Sequence, residues 1–300
     1  HWGAYEPAAR WESMKIRLLK RGPSPLRVSR LPLVAPAGFS LQYRLIMQLG
    51  AVTYNVLKDW DLETIITNLE AAGYAAVELR TGHPHGVEPS LDAAGRARVL
   101  SRFRRSKVRL LSLGSTCEFE SPDPAVRRHN VDVAKQFIEL AHDTGALGVK
   151  VRPNGLPKGI PADTTFSNIA ASLREVAEYG LGRGVEIWME VHGRETQLPA
   201  SAAAIMKKTA HQSVGLCWNS NPTDIVNGSI RPSFDLLRPW IRNCHLHDFT
   251  DPYPYRELFT LLRQSGYDRY TLCESPESKE PERFLRYYKA LWTELNRECA

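Results

Sequence analysis

A chain of 300 residues, 43% hydrophobic and 24% charged, has the composition of a soluble globular protein with a large core. Its net charge of +6 resembles a nucleic-acid footprint until it is located: residues 1–50 hold eight Lys/Arg against Glu6 and Glu12, and the rest of the chain is formally neutral. No run approaches the roughly 18 apolar residues of a membrane span, and five cysteines without CxxC spacing imply a reducing, cytoplasmic setting rather than a disulfide framework.

Residues 1–46 are rich in Arg and Pro and lack a sustained period, so they are expected to be an extension peripheral to the fold. A basic targeting segment or a surface-binding arm would fit the same composition, although the layout of a secretory signal is missing. From Leu49 a strand–helix unit repeats. Ala51–Val56 reads as a first strand. Asp61 caps a helix that Gly73 stops. Strand two, Ala75–Thr81, ends in Glu78 and Arg80, and a helix over Ser90–Arg105, with Asp92 at its start, follows. Strand three is Val108–Glu118. A long helix, Pro124–Thr144, ends at Gly145. Strand four, Gly148–Asn154, carries Lys150 and Arg152 on one side.

The second half continues the pattern. Helix Thr165–Leu181 leads to Val185–Gly193, a mostly apolar strand in which Glu190 and His192 sit two apart on one side. Ala200–Ala210 and Phe234–Trp240 are short helices around strand six, Val214–Asn219. Strand seven is Arg242–Asp248, and Tyr255–Gln264 leads to strand eight, Tyr270–Glu274. Pro281–Arg297 is the last helix. Eight alternating units predict an α/β fold, a (β/α)8 TIM barrel over residues 47–300. No Gly-rich phosphate fingerprint follows the first strand, which argues against a dinucleotide fold.

Ligands of such barrels bind at the C-terminal strand ends. Those ends hold Glu190 and His192 on strand five, Asn219 on strand six, His245 and His247 on strand seven, and Glu274 on strand eight. Oxygen and nitrogen donors from four adjacent strands suit Mn²⁺, Mg²⁺, Co²⁺ or Zn²⁺. Taken one at a time, Glu190 and His192 also fit a structural ion pair inside the barrel. Lys150 and Arg152 either neutralise Glu190 or Glu78, or hold a substrate oxygen. Glu118, His83 and His85 are rim candidates. Trp60, Trp188 and Trp218 fit a sugar face or simple packing.

The order Glu190, Cys217-Trp-Asn219, His245-Leu-His247-Asp248 and Glu274 resembles the sugar phosphate isomerase/epimerase family, the xylose isomerase-like barrels. The resemblance spans about residues 47–298. It implies a divalent metal held by Glu190, Asn219, His245 and Glu274, with Glu190 and Glu274 as the catalytic acid and base. His192, His247, Lys150, Arg152 and Glu78 would bind substrate. His245 is preferred to His247 because the family sets its ligand three residues before an acidic residue. The chain departs from the family at Asn219-Ser-Asn-Pro222, where Asp-x-x-His is usual, and Asn221 or Asp224 could supply the missing charge.

The activity implied is a metal-dependent isomerase or epimerase of a keto or aldo sugar working through an enediolate. A lyase or glycoside-cleaving enzyme on an oxidised sugar, or a non-catalytic barrel that binds a sugar or a partner, are the alternatives. An endonuclease would need more His and Asp ligands and a basic face. The expected partner is therefore a small carbohydrate, with no nucleic acid and no membrane, and room for a homo-oligomer.

Overall fold

The computed structural model describes residues 47–298. The basic extension and its expected peripheral place fall outside these residues. Eight parallel strands close in sequence order, β1 to β8, with β8 pairing back to β1. They are β1 Gln48–Val52, β2 Ala76–Arg80, β3 Arg109–Glu118, β4 Gly148–Arg152, β5 Glu186–Glu190, β6 Val214–Asn219, β7 Ile241–Leu246 and β8 Tyr270–Cys273. The helices are α1 Leu62–Ala72, α2 Ala93–Arg104, α3 Pro124–Thr144, α4 Ala162–Leu181, α5 Pro199–Thr209, α6 Arg231–Leu237, α7 Tyr255–Gln264 and α8 Pro281–Glu298. None of the described helices is long and apolar enough to cross a membrane.

Local chemistry sets the helix ends. Asp61, Asp92 and Asp123 accept hydrogen bonds from Thr64 N (2.8 Å), Gly95 N (2.7 Å) and Ala125 N (2.8 Å), satisfying first-turn donors of α1, α2 and α3. Gly73 and Gly145 take left-handed φ of 73° and 78° and terminate α1 and α3. Strand one differs from the sequence expectation of Ala51–Val56. Gln48 and Leu49 pair with Tyr270 and Thr271, whereas Thr53 leaves the ladder after one bond to Glu78 O (3.1 Å). The polar run Thr53-Tyr54-Asn55 is therefore a loop at the barrel mouth.

Two cores share the strands. The larger lies between strands and helices. The smaller comprises Val52, Ala76, Leu111, Trp188, Cys217 and Leu272, and residues from such distant strands can meet only across the lumen. Trp188 fills the lumen against Gly148, where a Cβ would come within 2.8 Å of the indole. Below it, Glu186 accepts from Trp188 Nε1 (2.7 Å) and Arg269 Nη2 (2.7 Å), closing the N-terminal end. Trp218 points the other way and packs on Phe234, centroids 5.8 Å apart. Neither Trp188 nor Trp218 lines the cavity described next.

Candidate active site at the barrel mouth

A cavity of about 480 Å³ opens at the C-terminal strand ends, lined by Lys150, Glu190, His192, Asn219, His247 and Glu274 among others. β5 ends at Glu190, so His192 lies just beyond the strand, half-buried, and still faces the same space. Glu274 likewise follows the last residue of β8. His245 and Glu78 are fully buried and do not line the cavity; they pack beneath its floor. Glu78 is thus corrected from a substrate contact to a residue against His245.

The ligand atoms of Glu190, His245 and Glu274 lie within 4.8 Å of one another. His245 Nδ1 is 3.2 Å from Glu274 Oε2 and 3.8 Å from Glu190 Oε1, and its Nε2 is 3.4 Å from Glu78 Oε1. Neither ring nitrogen makes a well-aligned hydrogen bond. Glu78 accepts from Ser112 Oγ (2.7 Å) through one oxygen only. Glu190 accepts from Lys150 Nζ at 2.6 Å and from Asn219 Nδ2 at 3.3 Å. Asn219 Oδ1 is buried without a partner.

Burial alone would push the Glu190 carboxyl up, but the Lys150 ammonium, with His245 beside it, holds it well below the usual carboxylate range. Burial likewise opposes charge on Lys150, and Glu190, Glu78 and Glu274 outweigh it, raising its pKa. His245 is raised well above a free imidazole despite its burial, by Cys217 and the Glu274 and Glu78 carboxylates. Burial pushes the Cys217 thiol up to about 11, so it is neutral near pH 7 and the carboxylates carry the effect. Glu78 is lowered in turn, because His245 overrides its burial.

The donors fit a divalent cation. Two carboxylates and an imidazole nitrogen gather within 4.8 Å of one another, with the unpartnered Asn219 amide oxygen on the neighbouring strand, and such an oxygen–nitrogen set suits a hard or borderline ion. A buried polar atom with no partner is costly, and a cation would satisfy both Asn219 Oδ1 and His245 Nδ1. Lys150 takes one Glu190 oxygen, and the other, which accepts from Asn219 Nδ2, keeps a second lone pair for it.

Other sequence candidates are placed differently. Asp224 cannot replace the missing carboxylate. It is buried away from the cavity and accepts from Tyr253 OH (2.9 Å) and Asn221 N (3.0 Å). Asn221 lines the cavity but donates its amide to Val191 O (2.7 Å). Arg152 lines the cavity and pairs with Glu118 at 2.5 Å. His85 is tied to Arg80 O (2.8 Å) and Val87 N (3.0 Å) as a loop brace, and His83 bonds Thr53 Oγ1 at 3.1 Å. Trp60 packs against the main core. Tyr54, Gln197 and Asp251 also line the cavity, and no spacing in the sequence pointed to them.

A family model described as xylose isomerase-like TIM barrel matches residues 66–291. The chain belongs to that family. Solved structures share the barrel at low identity. An L-ribulose 3-epimerase is 18% identical, with TM-score 0.72 over 85% of this chain and 96% of its own. A D-psicose 3-epimerase with D-tagatose from Clostridium cellulolyticum H10 is 15% identical, with TM-score 0.72 over 84% and 99%. An IolI protein with a bound zinc atom is 16% identical, with TM-score 0.67 over 84% and 98%. No curated protein matches the chain. Identities this low carry the fold and not the reaction.

Proposed function

We propose that this protein is a metal-dependent isomerase or epimerase that acts on a keto or aldo sugar by proton transfer through an enediolate. One observation carries the reading: Glu190 and Glu274, from non-adjacent strands, face one cavity, and their oxygens gather within 4.8 Å of one another and of a His245 nitrogen. The sugar epimerases among the structural relatives support it. A divalent ion (Mn²⁺, Mg²⁺, Co²⁺ or Zn²⁺) held by Glu190, Asn219, His245 and Glu274 would supply Lewis-acid stabilisation to a developing oxyanion.

The chain's own groups divide the remaining work. One carboxylate removes the proton from the carbon beside the carbonyl, and the C–H electron pair becomes the enediolate double bond as charge moves to oxygen. Lys150 keeps Glu190 ionised, so Glu190 can accept that proton at neutral pH. Glu274 faces the same cavity and returns a proton to the opposite side of that carbon, or to its neighbour. His247 Nε2, 3.8 Å from Glu274 Oε2, is placed to exchange that proton with solvent. His192 holds a sugar oxygen, Lys150 stays paired with Glu190, and His245 with Glu78 behind it fixes the floor.

The four described cysteines are free and buried, in keeping with the cytoplasmic setting we propose. The partner we propose is the carbohydrate alone, without nucleic acid.

The test is the full chain, assayed for bound metal and incubated in D₂O with ketoses and aldoses. Deuterium at the carbon beside the carbonyl, seen by NMR with epimer or isomer formation, is expected. An unsaturated product would turn the reading to a lyase. No exchange in any sugar and no bound metal would overturn catalysis and leave a binding barrel.

A further inference from the structure

The cavity has two unlike walls. Strands β5 to β8 supply Glu190, Asn219 and Glu274, while β2 and β4 supply Arg80, Lys150 and Arg152. β3 lies between those two strands and offers Gly114 in register with both Arg80 and Lys150. A side chain cannot stand there, because a Cβ would come within 2.9 Å of Glu78 Oε1. Gly114 thus lets β2 and β3 pack closely, with Glu78 and Arg80 filling the space a side chain would take.

Charge is not balanced along that wall. Lys150 is answered by Glu190 and Arg152 by Glu118. Arg80 has no carboxylate partner among the described residues. Its Nη1 bonds Thr81 O (2.9 Å), and its guanidinium stands 5.3 Å from the Tyr54 ring centroid. Arg152 also keeps a buried Nε–H with no acceptor. Arg80, unanswered by a carboxylate, and Arg152, which shares its guanidinium with Glu118, both line the cavity that Glu190 and Glu274 face, and together they suit an oxyanion.

The geometry points to a carboxylate on the substrate, bound by Arg80 and Arg152, and so to a sugar acid rather than a neutral sugar. The inference rests on the proposed function, since it places the reacting carbon against Glu190 and Glu274. A single negative charge matches the one unanswered arginine. A phosphate dianion would draw on a second free cation, and Lys150, the cavity's one lysine among the described residues, is already committed to Glu190.

Calorimetry on the full chain with D-fructuronate, D-fructose and D-fructose 6-phosphate tests this without needing turnover. The uronate and the neutral ketose differ only at the terminal carbon. Wild type should bind the uronate at least about tenfold more tightly than fructose, the worth of one charge-assisted contact. Arg80→Gln should erase that preference while its fructose affinity stays within about twofold, and Arg80→Lys should restore part of it. Melting curves establish that the variants fold, and the wild-type ligand pair stands without them. A wild-type preference below about threefold, or one that survives Arg80→Gln, overturns the inference, as does fructose 6-phosphate binding more tightly than the uronate. Glu274→Gln separates it from the catalytic reading: epimer or isomer formation should vanish there while the uronate preference persists. Deuterium exchange in neutral ketoses without any uronate preference would sink the carboxylate and keep the isomerase.

Discussion

The lumen of this barrel buries charged side chains at both ends, and the two ends treat them differently. At the bottom, Glu186 takes a hydrogen bond from Trp188 and a salt bridge from Arg269, and the group is complete. At the top, Glu78, Asn219 and His245 each retain a buried polar atom with no partner. The same strands make both ends, so topology is not the difference. Satisfied polar groups hold a structure together, whereas unsatisfied ones are kept at a cost that a ligand can offset. The unpartnered atoms gather toward the top, with Asn243 one layer below His245 also unpaired, and a ligand at the mouth would satisfy the uppermost of them.

The sharpest break of this comparison is Glu274→Gln. It preserves volume and one oxygen but removes a proton-transfer group from the unsatisfied end. Epimer or isomer formation should fall by roughly 10²–10⁴, the usual worth of a positioned acid or base. The melting temperature should change little, because the glutamine keeps the volume and an oxygen beside His245 Nδ1. Undiminished product formation would hand the role to His247.

Trp188→Ala should do the reverse. It empties the lower lumen and strips a donor from Glu186, costing about 3–5 kcal/mol by urea unfolding, as large buried aromatics generally do. Metal affinity in the fraction that folds should stay near wild type. A stable variant with lost metal affinity would show that the two ends are one unit.

Much of this contrast was legible in the sequence, and the illegible part has a physical origin. Strand-end positions grouped Glu190, His192, Asn219, His245, His247 and Glu274, because parallel barrels align those ends, and the family resemblance then preferred His245 to His247. Depth within the lumen was hidden. Glu78 and Arg80 share a side of β2, yet the first lies under the floor and the second lines the cavity. That depends on strand stagger and on the register shift between Val77 and Glu78. Asp224 looked like a spare ligand by proximity in sequence. Tyr253, twenty-nine residues on, turns it away.

Asp224 gives a third test at a group that is buried and yet hydrogen-bonded. Burial lifts its carboxyl to about 7, with Tyr253 and Asn221 pulling the other way. Its folded pKa exceeds an unfolded value near 3.9, so the native state holds the extra proton between about pH 4 and 7. Stability from this group is therefore lost as pH rises through that window. Asp224→Asn keeps an acceptor for Tyr253 without the charge. Its stability relative to wild type should improve by about 2 kcal/mol between pH 5 and pH 8, read from paired urea melts. A difference that does not change with pH would mean that Asp224 is ionised throughout.

The smallest expected effect tests the unsatisfied end most directly. Asn219 stands where the family usually carries an aspartate, and its Oδ1 is the buried oxygen without a partner. Asn219→Asp changes shape little and adds a full negative charge to the proposed ligand set. Hard cations respond strongly to the charge of their ligands. Mn²⁺ or Zn²⁺ should therefore bind at least about tenfold more tightly, about 1.4 kcal/mol, by titration calorimetry. In the metal-free protein the same change should lower stability, because Asn219 Nδ2 now donates to Glu190 and a carboxylate there would repel it. His245→Ala should weaken the metal in the same assay. Tighter metal with a weaker apoprotein is the signature of a site whose empty form is strained and whose filled form is not. Equal affinities in wild type, Asn219→Asp and His245→Ala would show that no metal binds at this point, and that the contrast between the barrel's two ends needs another ligand to explain it.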